Sequence, residues 1–552
     1  MNALPRASTT PETPRSAARR DRILICDDLA AEAYEVFEEA GFAPRTSTGL
    51  TEDELVAAVA DVEAIVVRSA TKITRRVIEA APELRVVGRA GVGVDNVDLD
   101  AATERGIVVM NAPTGNTTTT AELAIALLCA LARNIPRADR LVHEGVWKKR
   151  GLMGTELTHK TMGVIGLGRI GRVVAQRALG LCMNVIAHDP YLSGTNSPVE
   201  GVQLVELDEL VASADFISLH VPLNDSTRHI LSRKRLALTK PGARIINAAR
   251  GGLVDEQALL EALAAGHLRG AALDVFESEP PPPDHPLLAR DDVIVTPHLG
   301  ASSDEAQRQV ASDIARQIAD FLESGVSHNA VNAPALSAQA LHEIGPYVLL
   351  AEKLGRFLAQ RSPTPLRTLE LTISGDLASK DTSHIRLALL VGVLRHGTEA
   401  PVNFVNAPHL AAERGLTLVC EHEEGRGRGP GLVTVRALSC RAQGGEHSHE
   451  IAGTVLGRDP RIVRIDDLSV DLKPAGPLLI TTHDDAPGVV GLLGTVLGKH
   501  GLNIRRFELG PRKDSDGGPA HGFLTLYERP SVEVIEELSA LPPIRHVQLI
   551  EL

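Results

Sequence analysis

The run Lys160-Thr161-Met162-Gly163-Val164-Ile165 breaks into Gly166-Leu167-Gly168-Arg169-Ile170-Gly171 and then resumes with helical spacing. This predicts a strand, a tight turn and a helix. Gly166 lets the turn close, Gly168 lets a pyrophosphate approach the backbone, and Gly171 lets the helix pack on its strand. Unpaired N–H groups and the positive helix end then face the phosphates. An isolated GxGxxG is a weak signal, and here its context decides. Asn184-Val185-Ile186-Ala187-His188-Asp189 supplies a second strand ending in an acid 18 residues after Gly171. A carboxylate there accepts the ribose hydroxyls and repels a 2′-phosphate, so the predicted cofactor is NAD rather than NADP.

A chain of 552 residues exceeds one hydrophobic core. Before the glycine turn, Ile23-Leu24-Ile25-Cys26, Ala64-Ile65-Val66-Val67 and Leu84-Arg85-Val86-Val87 read as strands, with helices near 28–41, 51–60 and 74–81. That alternation predicts a parallel, doubly wound sheet whose functional residues lie on loops beyond the strand C-termini. Arg68-Ser69-Ala70-Thr71 follows one strand directly, and the glycine-rich segment 88–98 follows the next. Ile107 to Met110 precedes Asn111-Ala112-Pro113, and a long helix starts at Thr117–Thr120. Lys148, Lys149 and Arg150 are either a solvated face or phosphate contacts across a subunit interface.

The net charge of −13 excludes a general nucleic-acid surface. No stretch approaches the roughly 18 apolar residues that a membrane span needs. The five cysteines are widely spaced with no CxxC, which predicts reduced thiols in a cytoplasmic protein and no metal site. Residues 1–20 carry arginines among Pro, Ser and Thr without an apolar core, and read as a disordered tail.

Beyond Asp189, three strand ends deliver Arg250, Glu279 and His298 to one side of a sheet. This set suits oxidation of a 2-hydroxy acid. Arg250 matches a carboxylate with its planar fork. His298 removes the hydroxyl proton as hydride leaves C2, and Glu279 orients the imidazole and favours its cation.

Asn111-Ala112-Pro113, the 166–171 glycine turn, Asn247-Ala248-Ala249-Arg250-Gly251-Gly252, Ala272 to Pro280 and Pro297-His298-Leu299-Gly300 together resemble the D-isomer-specific 2-hydroxyacid dehydrogenases. Arg68 to Lys72 and Gly91 to Asp98 are similar to the branch of that family acting on D-3-phosphoglycerate. The resemblance covers residues 21–552. It implies Arg250, Glu279 and His298 as catalytic, and a NAD site lined by Arg169, Ile170, Asp189, Ala249, Arg250, Asp274, His298, Leu299, Gly300 and Ala301. It implies Arg68, Ser69 and Asn111 as substrate contacts, beside Arg250. The implied reaction is oxidation of 3-phosphoglycerate to 3-phosphooxypyruvate with NAD, opening a phosphorylated route to L-serine. Another 2-hydroxy or 2-oxo acid, such as glyoxylate, hydroxypyruvate or 2-oxoglutarate, is the alternative substrate. A NAD-sensing corepressor is a distant alternative.

The C-terminal third carries two further modules. Residues 331–475 read as a compact α+β unit, with glycine-rich 421–430 and 443–449 as hairpin loops, and resemble the intervening domain of the long-form branch. From Leu478 onward the order β-α-β-β-α-β predicts a ferredoxin-like fold that resembles the ACT domain. Its loop residues His483 and Asp485, with Asn503 opposite, suit the ends of L-serine as an effector; the competing reading is a purely dimerising module. The expected fold is α/β: two doubly wound parallel-sheet domains, an α+β intervening domain and a ferredoxin-like ACT domain. The divisions are 21–117 for substrate binding, completed by 302–330, then 118–301 for NAD, 331–475 and 476–552. The expected assembly is a homotetramer or homodimer.

Overall fold

The computed structural model describes residues 22–192, 197–325, 327, 329–334, 338–362, 364–398, 401–423, 431–440, 446–510 and 519–552. The expected N-terminal tail lies outside them.

The first sheet is parallel, in the spatial order Arg45–Thr46, Ile23–Ile25, Ala64–Val67, Val86–Arg89, Val108–Asn111. Apart from the exposed edge strand Arg45–Thr46, its strands are apolar up to their last residues because both faces are covered. The three helices predicted around them are shorter than read: Ala31–Glu39, Glu52–Ala58 and Arg75–Glu79. Caps set the starts of the last two. Thr51 and Glu54 form a reciprocal capping box, and the Thr74 hydroxyl accepts the Val77 N–H.

The second sheet has seven parallel strands, in the order Val293–Val295, Gly270–Leu273, Arg244–Asn247, Phe216–Leu219, Thr161–Ile165, Asn184–His188, Val202–Leu204. The strand that comes first in sequence, Thr161–Ile165, therefore sits inside the sheet, and the winding direction reverses beside it. In such sheets ligands bind outside the strand C-termini at that reversal.

Two helices connect the sheets. Thr117–Arg133 runs from the first to the second and ends at Asn134 in the left-handed conformation. Asp304–Ser324 returns, capped by the Ser303 hydroxyl on the Ala306 N–H and stopped by Gly325 at φ +75°. Its apolar face, with Val310, Ile314, Ile318 and Phe321, packs in the core of the first sheet. Gly88 allows this contact, since a Cβ there would collide with Ile318.

The third sheet is mixed: Thr417–Glu423, Leu366–Ser374, Leu432–Cys440, Glu446–Leu456, Asp459–Ile465, Leu468–Leu472. It corrects one of the two predicted hairpin loops and the bounds of the other, which lies between the antiparallel neighbours Leu432–Cys440 and Glu446–Leu456 as a hairpin does. Residues 421–423 end one strand and 446–449 begin another, while 424–430 and 441–445 lie outside the described residues. The link across 424–430 joins strands that are not neighbours, because Leu366–Ser374 lies between them, paired parallel on one side and antiparallel on the other. It is not a hairpin.

The last sheet is antiparallel in the order Ile504–Gly510, Ala520–Leu526, Pro477–His483, Ile544–Glu551, the ferredoxin-like arrangement. Helices Val489–Lys499 and Val532–Ser539 cover one face. The other face is covered from within the chain: Leu478, Ile480, Phe523 and Ile550 share a core with Leu350 and Phe357 of the helix Ala338–Arg361. Gln360 seals this joint by donating to the Glu551 carbonyl and accepting the Glu551 N–H, each at 2.9 Å. No single helix among the described residues is long and apolar enough to cross a membrane.

Candidate active site

The glycine turn has the backbone its sequence demands. Gly166 adopts φ +92°, and its N–H donates to the His188 carbonyl at 2.8 Å. A Cβ on Gly171 would collide with the Gly166 carbonyl, whereas one on Gly168 would meet nothing within 4 Å. Gly171 is thus the packing glycine, and Gly168 is the open one at the start of the helix Arg169–Gly180, where no side chain caps the N–H groups. Arg169 reaches the Pro113 carbonyl at 3.4 Å, and Ile170 packs half-buried against the core. Asp189 Oδ2 accepts the Leu167 N–H at 2.9 Å and Oδ1 accepts the Tyr191 N–H at 3.0 Å, so the acid expected to meet a ribose also holds the turn. Nearby, burial pushes His220 down to about 4, and its Nε2 pairs with the Ser218 hydroxyl at 2.8 Å. It is a neutral packed residue.

His298 stands at φ +54° on the loop after Val293–Val295. Its Nδ1 meets Glu279 Oε2 at 2.6 Å, which leaves Nε2 as the nitrogen available to a reacting group. Asp274 fixes the loop from below. Its carboxylate accepts the Thr296 hydroxyl at 2.5 Å, the Leu299 N–H at 2.7 Å and the Gly300 N–H at 2.9 Å. Burial raises the Asp274 pKa even against these bonds. At 1% exposure, Asp274 supports the loop that carries His298. The Thr120 hydroxyl of the connecting helix ties in the same loop through the Gly300 carbonyl at 2.6 Å. Leu299 is exposed and Ala301 half-buried beside it.

Arg250 and Glu279 are braced together. Asn247 accepts the Ala249 N–H at 3.1 Å and donates to the Arg250 carbonyl at 2.9 Å. The next residue, Gly251, lies against the Phe276–Glu277 peptide so closely that a Cβ would overlap it. That peptide is gripped from both ends: the Phe276 N–H donates to Glu279 Oε1 at 3.1 Å and the Glu277 N–H to Glu256 Oε1 at 2.7 Å. Burial raises the pKa of Glu256, whose other oxygen meets His285 Nε2 at 3.1 Å.

Across the cleft, Asp27 holds the Arg68 loop by accepting the Arg68 N–H at 2.5 Å and the Thr71 hydroxyl at 2.7 Å, while Asn96 donates to the Arg68 and Thr71 carbonyls. Ser69 is exposed on this loop. The amide of Asn111, an expected substrate contact, donates to the Val92 carbonyl at 2.5 Å and so also shapes the glycine loop.

The residue that sequence reasoning missed is Arg89. It ends the strand Val86–Arg89, and burial together with the Arg250 and Arg68 charges pushes its pKa down to about 10, against the pull of Asp95 and Asp27. Its Nε is buried without a partner. Arg68, Arg89 and Arg250 therefore form one cationic cluster drawn from both sheets. In the sequence, Arg89 lies in a segment where only the glycines stand out.

Two family models match the chain: D-isomer specific 2-hydroxyacid dehydrogenase, NAD binding domain, over residues 125–300, and D-3-phosphoglycerate dehydrogenase intervening domain, over residues 343–466. The D-3-phosphoglycerate dehydrogenase of Methanocaldococcus jannaschii is 43% identical over 534 residues, spanning 96% of this chain and 100% of that protein. The corresponding enzyme of Archaeoglobus fulgidus is 42% identical over 531 residues, with the same coverage. The chain belongs to the D-3-phosphoglycerate dehydrogenase family. It is a NAD-dependent dehydrogenase. Among solved structures, a D-lactate dehydrogenase from Aquifex aeolicus in complex with NAD and lactic acid is 28% identical with a TM-score of 0.51, covering 57% of this chain and 100% of that one. The open Gly168, the uncapped helix start and the Asp189 carboxylate fit the NAD this family uses.

In this phosphoglycerate dehydrogenase family member the three residues expected to meet an effector divide. Asp485 and Asn503 are exposed, but His483 is the last residue of its strand, 3% exposed, with Nδ1 against the Asp484 carbonyl. It does not share the open loop with Asp485, because it ends the strand with its ring packed beside Thr481 and Phe507 against Gly522.

Proposed function

We propose that this chain oxidises D-3-phosphoglycerate to 3-phosphooxypyruvate with NAD. The observation that carries the reading is the cationic cluster of Arg68, Arg89 and Arg250 in a cleft that also holds the His298–Glu279 pair. A 2-hydroxy acid with a second anionic group matches such a cluster, with one anion for Arg250 and the other for Arg68 and Arg89. Arg250 holds the carboxylate and the C2 oxygen. His298 Nε2 takes the hydroxyl proton, and Glu279 Oε2 steadies the imidazolium through Nδ1. Bound nicotinamide supplies the acceptor for the C2 hydride. Loss of that hydride and of the hydroxyl proton leaves the C2 carbonyl.

Residues 21–117 with 302–330 act as the substrate-binding unit and 118–301 as the NAD-binding unit, a division supported by the two connecting helices. A homodimer or homotetramer is supported by the helix Ile135–His143, which buries none of its residues, and by Trp147, 85% exposed beside Val142 and Met153. L-serine as effector is supported by the ferredoxin-like module with Asp485 and Asn503 on its open loops. The thiols Cys26, Cys129, Cys182 and Cys420 are unpaired, which supports a cytoplasmic setting. The test is NADH formation from 3-phosphoglycerate with the product removed chemically. Robust turnover of unphosphorylated acids with none of 3-phosphoglycerate overturns the assignment.

A further inference from the structure

Arg250 reaches from the second sheet to the glycine loop of the first, where its Nε donates to Asp95 Oδ2 at 3.2 Å. Gly93 makes room for the pair, since a Cβ there would overlap Arg250 Nη2 and lie 2.6 Å from Asp95 Oδ2. On the other flank of the guanidinium, Nη1 donates to the Ala249 carbonyl at 2.7 Å. A carboxylate binds guanidinium best through two parallel N–H bonds along one edge of the fork. One edge is therefore occupied by Asp95 and the other by a backbone carbonyl.

These two occupants differ in how readily they leave. The Ala249 carbonyl belongs to a turn pinned twice by Asn247, so it cannot move without disturbing the strand end. The Asp95 side chain is 72% exposed and can rotate into water. The pair also bridges the two sheets, so releasing it frees the Nε edge and one cross-cleft tether together.

We propose that Asp95 is an internal competitor for the substrate carboxylate, occupying Arg250 until substrate displaces it. The inference rests on the reading of Arg250 as the carboxylate anchor. Substrate binding is then an exchange of one carboxylate for another on the same guanidinium. Exchange at Arg250 alone yields little, so affinity comes from the second anionic group at Arg68 and Arg89. Asp95 thereby weakens every acid that docks a carboxylate on Arg250 by a common factor, while the second anionic group decides which acids still bind.

The sign of one substitution decides. In the NAD-saturated full-length enzyme, Asp95→Asn should lower the KM for 3-phosphoglycerate and the inhibition constant of D-glycerate by a similar factor, about two- to fivefold, the scale of an exposed ion pair. Asp95→Ser should do the same. The variant-to-wild-type ratio should persist in high salt, where charges beyond direct contact are screened. Unchanged or weakened binding overturns the proposal and makes Asp95 an orienting partner of Arg250 or a bystander. A gain that vanishes in high salt reduces it to general repulsion, and a gain confined to the phosphorylated ligand moves the competition to the phosphate; either overturns it. Arg250→Ala separates the underlying reading: if that variant turns over like wild type, the anchor itself is wrong, whatever Asp95→Asn does.

Discussion

Glu279 Oε2 lies 2.6 Å from His298 Nδ1, while the other oxygen of the same carboxylate accepts the Phe276 N–H at 3.1 Å. The carboxylate is thus fixed at both ends, one by the base and one by its own loop. Partial burial pulls the Glu279 pKa up, but the hydrogen bond and charge of His298, the Phe276 N–H and the Arg250 charge outweigh it and hold the carboxyl below its ordinary value. Glu279 is therefore anionic at neutral pH and fixes which imidazole nitrogen faces the cleft.

Removing the base tests this directly. His298→Ala should lower kcat by about 10²–10⁴-fold, the usual share of general acid–base assistance, with NAD affinity close to wild type. Steady-state kinetics beside a fluorescence titration with NADH would check it. Near-normal turnover would remove His298 from the proton-transfer role.

The lowered Glu279 pKa also fixes a pH dependence. A group whose folded pKa is depressed stabilises the fold above its unfolded value, and that contribution is lost as pH falls through the folded one. The stability gap between wild type and Glu279→Gln should therefore be open near neutrality, begin to close as pH falls below the unfolded value of about 4.3, and vanish only below the depressed folded pKa. Urea melts at stepped pH measure the gap. A gap independent of pH would mean that the mutation acts through packing alone.

The glycine turn separates binding from folding. Gly168→Ala meets open space and should fold like wild type while weakening NAD, because the methyl group points where a pyrophosphate approaches. Gly171→Ala forces the helix off its strand and should cost about 1–3 kcal/mol of stability. Equal melting temperatures for the two variants would contradict this division.

What the sequence revealed, and what it hid, follows the range of the interaction. The turn at 166–171 was legible because its glycines answer to local backbone geometry. Arg250, Glu279 and His298 were legible because each follows a strand of a parallel sheet. Asp274 reads from the sequence as a cofactor contact, while its three bonds to the 296–300 loop come only from the fold. Arg89 closes an apolar strand, where an arginine looks like any solvated strand end; its meaning comes from Arg68 and Arg250, which belong to other strands. The pairing of Asp95 with Arg250 spans 155 positions and two sheets, and no local pattern carries it. The strand lying between the ends of the 424–430 link is hidden for the same reason, since sheet order depends on pairing between distant segments.

The C-terminal module carries the last prediction. Asp485 and Asn503 are exposed, and Gly488, at φ +97° with open space around it, starts the helix Val489–Lys499 without a side-chain cap. An amino acid bound there would meet a carboxylate for its ammonium group and unpaired N–H groups for its own carboxylate. Asp485→Ala and Asn503→Ala should therefore abolish serine binding in calorimetry while leaving melting temperature and uninhibited turnover unchanged. His483→Ala should behave differently and destabilise the module, because that side chain is buried. Deleting 476–552 is not a clean control. It strips Leu478, Ile480, Phe523 and Ile550 from the core they share with Leu350 and Phe357, at about 1.5–3 kcal/mol for each buried side chain, so the truncated chain should melt earlier and associate through the exposed helix face. If both surface variants bind serine as wild type does, the effector lies elsewhere. If the intact oligomer binds none, the module serves assembly, and its inner sheet face is then its main contribution to the fold.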